Sequence, residues 1–115
     1  MIRLLSNPNL EFGQYGWTLT LLACDAFDEN YSFRELFGKM TEALARHRDV
    51  TLTLPPEAPF EDFVEGTLRW GPTVYDVYFE RSLGYVDLSS TSESCTRELL
   101  DALAPHFVWP QAAEG

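Results

Sequence analysis

Residues 67–80 read TLRWGPTVYDVYFE, two runs rich in β-branched and aromatic residues on either side of Gly71-Pro72. Such runs around a Gly-Pro breaker predict a hairpin from Thr67 to Glu80, with its first arm reaching back toward Phe60. In the second arm Tyr75, Val77 and Phe79 point one way, and Asp76, Tyr78 and Glu80 point the other. A turn at Arg81 to Gly84 leads into a strand from Tyr85 to Leu88, where Val86 and Leu88 continue the apolar side and Tyr85 and Asp87 the polar one. Consecutive hairpins imply a mainly antiparallel sheet with one face on a core and one in water.

The same reading extends in both directions. Met1 to Leu5 predicts a short edge strand, stopped by Ser6-Asn7-Pro8-Asn9. From Trp17, the side chains of Trp17, Leu19, Leu21 and Ala23 share one face and Thr18 and Thr20 the other, the alternation of a half-buried strand. Ser32 and Glu35 form a capping box, and Phe33, Leu36, Phe37, Met40 and Leu44 follow as the apolar stripe of a helix. Val50 to Leu54 reads as a strand, after which Pro55, Pro56 and Pro59 enforce an extended connection. A second capping box, Ser90 with Glu93, opens a closing helix whose stripe is Cys95, Leu99, Leu100, Leu103 and Phe107. The expectation is one α+β domain over residues 1–115: a mainly antiparallel sheet of four to six strands with two amphipathic helices packed on one face.

Charge narrows the function. The chain has 18 Asp and Glu against 8 Lys and Arg, a formal net charge of −10. Residues 32–48 hold Arg34, Lys39, Arg46 and Arg48 against Glu35 and Glu42, so the rest of the chain is at −12. The basic cluster needs no function, because cations at a helix C-terminus complement its dipole. The acidic excess repels nucleic acid and anionic lipid and steers basic partners in. With 45% hydrophobic and 14% aromatic residues, the acid decorates a folded globule and not a disordered tail.

Signatures of chemistry are weak. Cys24 and Cys95 have no ligand spacing and read as separate thiols, and His47 and His106 stand in no nucleophile-base motif. Asp25, Asp28, Glu29 and Asn30 make an oxygen-rich loop without the glycine and ligand ladder of a calcium site, so neither metal nor cofactor is expected. Asp76 and Glu80 lie about 13 Å apart along one strand, too far for a hydrolytic pair. GxGxxG and P-loop patterns are absent. The opening MIRLLSNPNLEF lacks the pattern of an export signal, and the cytoplasm is the expected compartment.

Two acidic zones remain as candidate partner-binding surfaces. Asp76, Tyr78, Glu80, Tyr85 and Asp87 form an acidic aromatic patch on the polar side of neighbouring strands, where rings supply contact area and carboxylates supply steering. Glu57, Glu61, Asp62 and Glu65 lie within PPEAPFEDFVEG, which contains no base, and the Asp25 to Glu29 loop is expected to add to them in space. A basic protein is the partner that both zones suit, and nucleic acid and membrane are not.

In size, acidity, α+β order and the tract Tyr78-Phe79-Glu80-Arg81-Ser82-Leu83-Gly84-Tyr85, the chain resembles the small acidic immunity proteins that bacteria encode beside polymorphic or contact-dependent toxins. The resemblance implies a stoichiometric, non-enzymatic inhibitor of a cognate toxin, such as a nuclease with a basic cleft. An acidic secretion chaperone for an effector and a small carboxylate-dependent enzyme are the alternatives. A deep pocket with convergent acids would favour the enzyme.

Overall fold

Phe63–Trp70 and Thr73–Glu80 pair antiparallel along their whole length, from Phe63 opposite Glu80 to Trp70 opposite Thr73, so the central hairpin is as the sequence predicts. The structure is a computed structural model and describes residues 1–59 and 61–110. Phe60, at the expected start of the first arm, lies outside the described residues. The elements in chain order are β1 (Ile2–Arg3), β2 (Asn9–Gly13), β3 (Gly16–Leu22), α1 (Phe33–Ala45), β4 (Val50–Thr53), β5 (Phe63–Trp70), β6 (Thr73–Glu80), β7 (Tyr85–Ser90), α2 (Glu93–Leu103), a 3-10 turn (Ala104–His106) and β8 (Phe107–Val108). Six strands form one antiparallel sheet in the order β2-β3-β7-β6-β5-β4.

Register sorts the side chains. Directly paired residues share a face, so Leu19, Leu88 and Val77 form one apolar row, and Leu21, Val86, Phe79 and Val64 the next. These residues are buried in one cluster with Phe33, Leu36, Phe37, Met40 and Leu44 of α1 and Leu99 and Leu103 of α2. Both helices therefore cover this inner face and leave the other open. Phe33 and Phe79 stack at 4.6 Å between ring centroids, and the Tyr75 hydroxyl donates to the Cys95 carbonyl at 2.7 Å, tying α1 and α2 to β6.

Local chemistry sets the boundaries. The Ser32 hydroxyl accepts from the Glu35 N–H and caps α1 as expected. The second cap differs: Ser92 accepts from the Cys95 N–H, while Ser90 ends β7, buried, with its hydroxyl bonded to Thr96. The sheet claims Ser90 before a helix can. Thr96, Leu99 and Leu103 are the buried stripe of α2, Cys95 and Leu100 are half-buried, and Phe107 leaves the helix altogether. Pro105 ends the helical ladder, and Phe107 then pairs with Ile2 in a separate parallel sheet of β1 and β8. The first residues are accordingly not an edge of the main sheet. That edge is β2, to which no strand is assigned from sequence, joined to β3 through Gly16 at a φ of 103°.

Arg48 stacks its guanidinium on Trp70 at 4.3 Å and pairs with Glu98 at 3.0 Å, so part of the basic cluster is structural. Cys24 and Cys95 are free thiols, and no helix of the described residues is long and apolar enough to cross a membrane.

Candidate functional site

The site begins with the tight turn from Glu80 to Tyr85. Gly84 has a φ of 74°, and a Cβ there would lie 2.0 Å from the Cys24 carbonyl oxygen, so only glycine lets this turn pack against the end of β3. The Gly84 carbonyl accepts from the N–H groups of Ala23 and Cys24 at 2.7 and 3.2 Å. This anchoring fixes where β7 starts and hence which residues face out. Tyr78 lies opposite Asp87, Glu80 opposite Tyr85, and Asp76 opposite Ser89. All five residues of the acidic aromatic patch fall on the open face.

Glu65 joins them. It pairs with Tyr78 across β5 and β6, on the face opposite to buried Val64, and so belongs to this patch and not with Glu57, Glu61 and Asp62. Glu11 on β2, whose neighbours Leu10 and Phe12 turn to the helix side, adds a fifth carboxylate. Among the described residues, the strands present Glu11, Glu65, Asp76, Glu80 and Asp87 on the open face against Arg69 as the one base. Exposed Phe63, Val74 and Leu22 lie on the same face.

At its centre is a cleft of about 310 Å³ lined by Tyr15, Glu65, Asp76, Tyr78, Tyr85 and Asp87, together with Gly66, Val77 and Ser89. Tyr15 comes from the β2–β3 turn and carries no signal in strand periodicity that points to this place. Phe63, Tyr78 and Tyr85 form a row of rings, with centroids 6.2 and 5.8 Å apart. The Thr20 hydroxyl donates to Asp87 Oδ1 at 2.6 Å, and the Thr18 and Ser89 hydroxyls bond at 2.8 Å. Burial pushes the Asp87 carboxyl above the ordinary aspartate range; the Thr20 bond opposes this and the charge of Glu11 adds to it. Glu80 turns aside, accepting from Tyr78 and from the Ser82 hydroxyl, and these bonds hold its carboxyl below the ordinary range. Burial first, then the carboxylates beside them, raises the phenols of Tyr78 and Tyr85, so both rings stay neutral.

The second acidic zone is largely a structural joint. Glu61 takes a bidentate hold from Arg34, with Nε at 3.0 and 3.2 Å and Nη2 at 2.5 Å, and this contact lowers its carboxyl pKa. Asp62 accepts from the Ser82 N–H at 3.0 Å. Arg81 donates to the carbonyls of Asp28, Tyr31 and Glu61, drawing the Asp25 to Tyr31 loop against this segment. Glu29, Glu57, Glu61 and Asp62 line one cleft of about 610 Å³, so of the loop acids Glu29 joins this zone while Asp25 and Asp28 do not line it, and Arg34 and Arg81 line it too. Its four carboxylates meet two arginines, whereas the open sheet face sets five carboxylates against Arg69 alone.

Among the described residues no group of three His, Cys, Asp or Glu side chains stands together as a metal site. Comparison with protein-family models, with curated proteins and with solved structures finds no match to this chain.

Proposed function

We propose that this chain is a non-enzymatic, protein-binding inhibitor that captures a basic protein on the open face of its sheet. A cognate bacterial toxin is the partner, acting in the cytoplasm, with a nuclease as the class whose basic cleft fits best. The carrying observation is the segregation of charge: five carboxylates and one arginine on a face that also exposes Phe63, Val74, Tyr15 and Leu22. Apolar and aromatic area mixed with unpaired carboxylates is the composition of a docking surface, because the rings gain contact area while the acids accelerate encounter and select the sign of the partner.

The test is co-expression with the product of the neighbouring gene, followed by capture of the complex at low and high salt. Rescue of growth together with a salt-sensitive one-to-one complex supports the proposal. Combined neutralisation D76N/E80Q/D87N is expected to slow association at least tenfold, and a complex indifferent to those changes refutes this face as the interface.

A second reading has one observation in its favour. Asp76 and Asp87 occupy diagonal cross-strand positions in the cleft, about 7 to 8 Å apart, within the range of paired-carboxylate hydrolysis. An enzyme would protect cells without forming a stoichiometric complex, so the same capture experiment separates the two.

A further inference from the structure

Resting on the basic-partner reading, we infer that the partner's anchor is an arginine side chain seated in the cleft between the rings of Tyr78 and Tyr85 and the carboxylates of Asp76 and Asp87. The ion pairs among the described residues are Arg34 with Glu61, Arg48 with Glu98 and Arg97 with Glu93, so none of the cleft's three carboxylates is neutralised from within. Asp87 is half-buried in the cleft lining, and among the described residues its side-chain hydrogen bond is the one it accepts from the neutral Thr20 hydroxyl. A half-buried carboxylate without a cation is costly to keep, and a cation arriving with the partner offsets part of that cost.

The walls favour guanidinium over ammonium. The rings of Tyr78 and Tyr85, with centroids 5.8 Å apart and planes tilted by 46°, line the cleft together with Tyr15, so aromatic surfaces stand beside the carboxylates in the seat. A planar guanidinium stacks on such faces and forks two carboxylate oxygens, and it sheds water more readily than a lysine ammonium. At about 310 Å³ the cleft has room for one long side chain.

The full chain is titrated with capped hexa-arginine and hexa-lysine peptides while backbone amide and tyrosine ring resonances are followed. Hexa-arginine is expected to bind at least fivefold more tightly, shifting the amides from Asp76 to Asp87 and the rings of Tyr78 and Tyr85. Replacing both tyrosines, Y78L/Y85L, should abolish the arginine preference by weakening hexa-arginine more than hexa-lysine. Equal affinities, with both peptides still mapping to this face, overturn the arginine seat but spare the basic-partner reading. If neither peptide maps here, both readings fall, and the wild-type comparison decides even if the double variant does not fold.

Discussion

Asp87→Asn should make the protein more stable at neutral pH while weakening partner capture. The fold gains nothing visible from the Asp87 charge: burial raises its pKa, Glu11 repels it, and Thr20 donates a bond that an asparagine carbonyl oxygen can also accept. Two like charges about 7 Å apart at an effective dielectric of 40 to 80 repel by about 0.6 to 1.2 kcal/mol, which sets the scale for Asp76 against Asp87. A gain of about 1 kcal/mol is expected at pH 7, or about 4 °C in melting temperature for a domain of this size. The sign with pH follows from linkage. Because the folded pKa is raised, the native state holds the proton in the window between the unfolded aspartate value of about 3.9 and the folded one. The wild type therefore loses stability as pH rises through that window, and the advantage of D87N grows from near zero at pH 3 to a plateau above it. Urea unfolding followed by tryptophan fluorescence between pH 3 and 8 measures this directly. A variant less stable than wild type at pH 7, or a difference that ignores pH, would mean that Asp87 serves the fold, and the reasoning for a functional charge would be refuted.

Arg34→Ala leaves the Glu61 carboxylate, whose side chain is 9% exposed, without its bidentate partner, and should cost about 1 to 3 kcal/mol. Since Arg34 depresses the Glu61 pKa, the wild-type contribution is present above the unfolded glutamate value and is lost as pH falls through the folded one, so thermal melts of the two proteins should converge in acid. Tyr75→Phe removes the hydroxyl that meets the Cys95 carbonyl inside the core and should lower the melting temperature by about 4 to 8 °C, with the unfolding m-value unchanged. Gly84→Ala drives a Cβ into the Cys24 carbonyl and should cost about 3 kcal/mol or more, whereas Gly38→Ala, with open space around it in α1, should stabilise by about 0.5 to 1 kcal/mol. Chemical denaturation of the two glycine variants side by side checks the contrast.

Which residues share a face was legible because a strand alternates with period two, and Asp76, Tyr78, Glu80, Tyr85 and Asp87 are read correctly from that rule alone. Glu65 was legible by the same rule, since the alternation of Trp70, Leu68 and Val64 extends back past it, but the neighbouring acids in PPEAPFEDFVEG drew it into the wrong group. Pairings across the chain were not legible. Arg34 meets Glu61 over 27 residues, and Arg81 reaches Asp28 over 53, contacts that arise from chain reversal and leave no local period. NLEFG, residues 9–13, begins with Asn and ends with Gly, both poor strand formers, and becomes strand only because β3 offers it a ladder. Ile2 with Phe107 is a two-residue parallel pairing, too short to carry any pattern.

The arrangement of cations explains why the open sheet face of a chain at −10 keeps its acids uncompensated. Arg34, Lys39, Arg46, Arg48 and Arg97 lie on or beside the helices, where Glu35, Glu42, Asp49, Glu93, Glu98 and Asp101 nearly balance them. Arg81 is spent on backbone carbonyls. Arg3 lies on β1 in the small separate sheet, which leaves Arg69 alone among the strands of the open face, so its five carboxylates keep a surplus there by default of cations, while Asp25, Asp28, Glu29, Glu57, Glu61 and Asp62 carry the other surplus in the loops. The helix layer can then pack under nearly neutral conditions while the sheet bears the repulsion, which hydrogen-bonded strands tolerate because their backbone ladder does not depend on those side chains. A surface in that condition stores unfavourable electrostatic energy, and a basic protein arriving on it releases some of that energy on binding. Evenly scattered acids would lower the pI as far without concentrating that energy on one face.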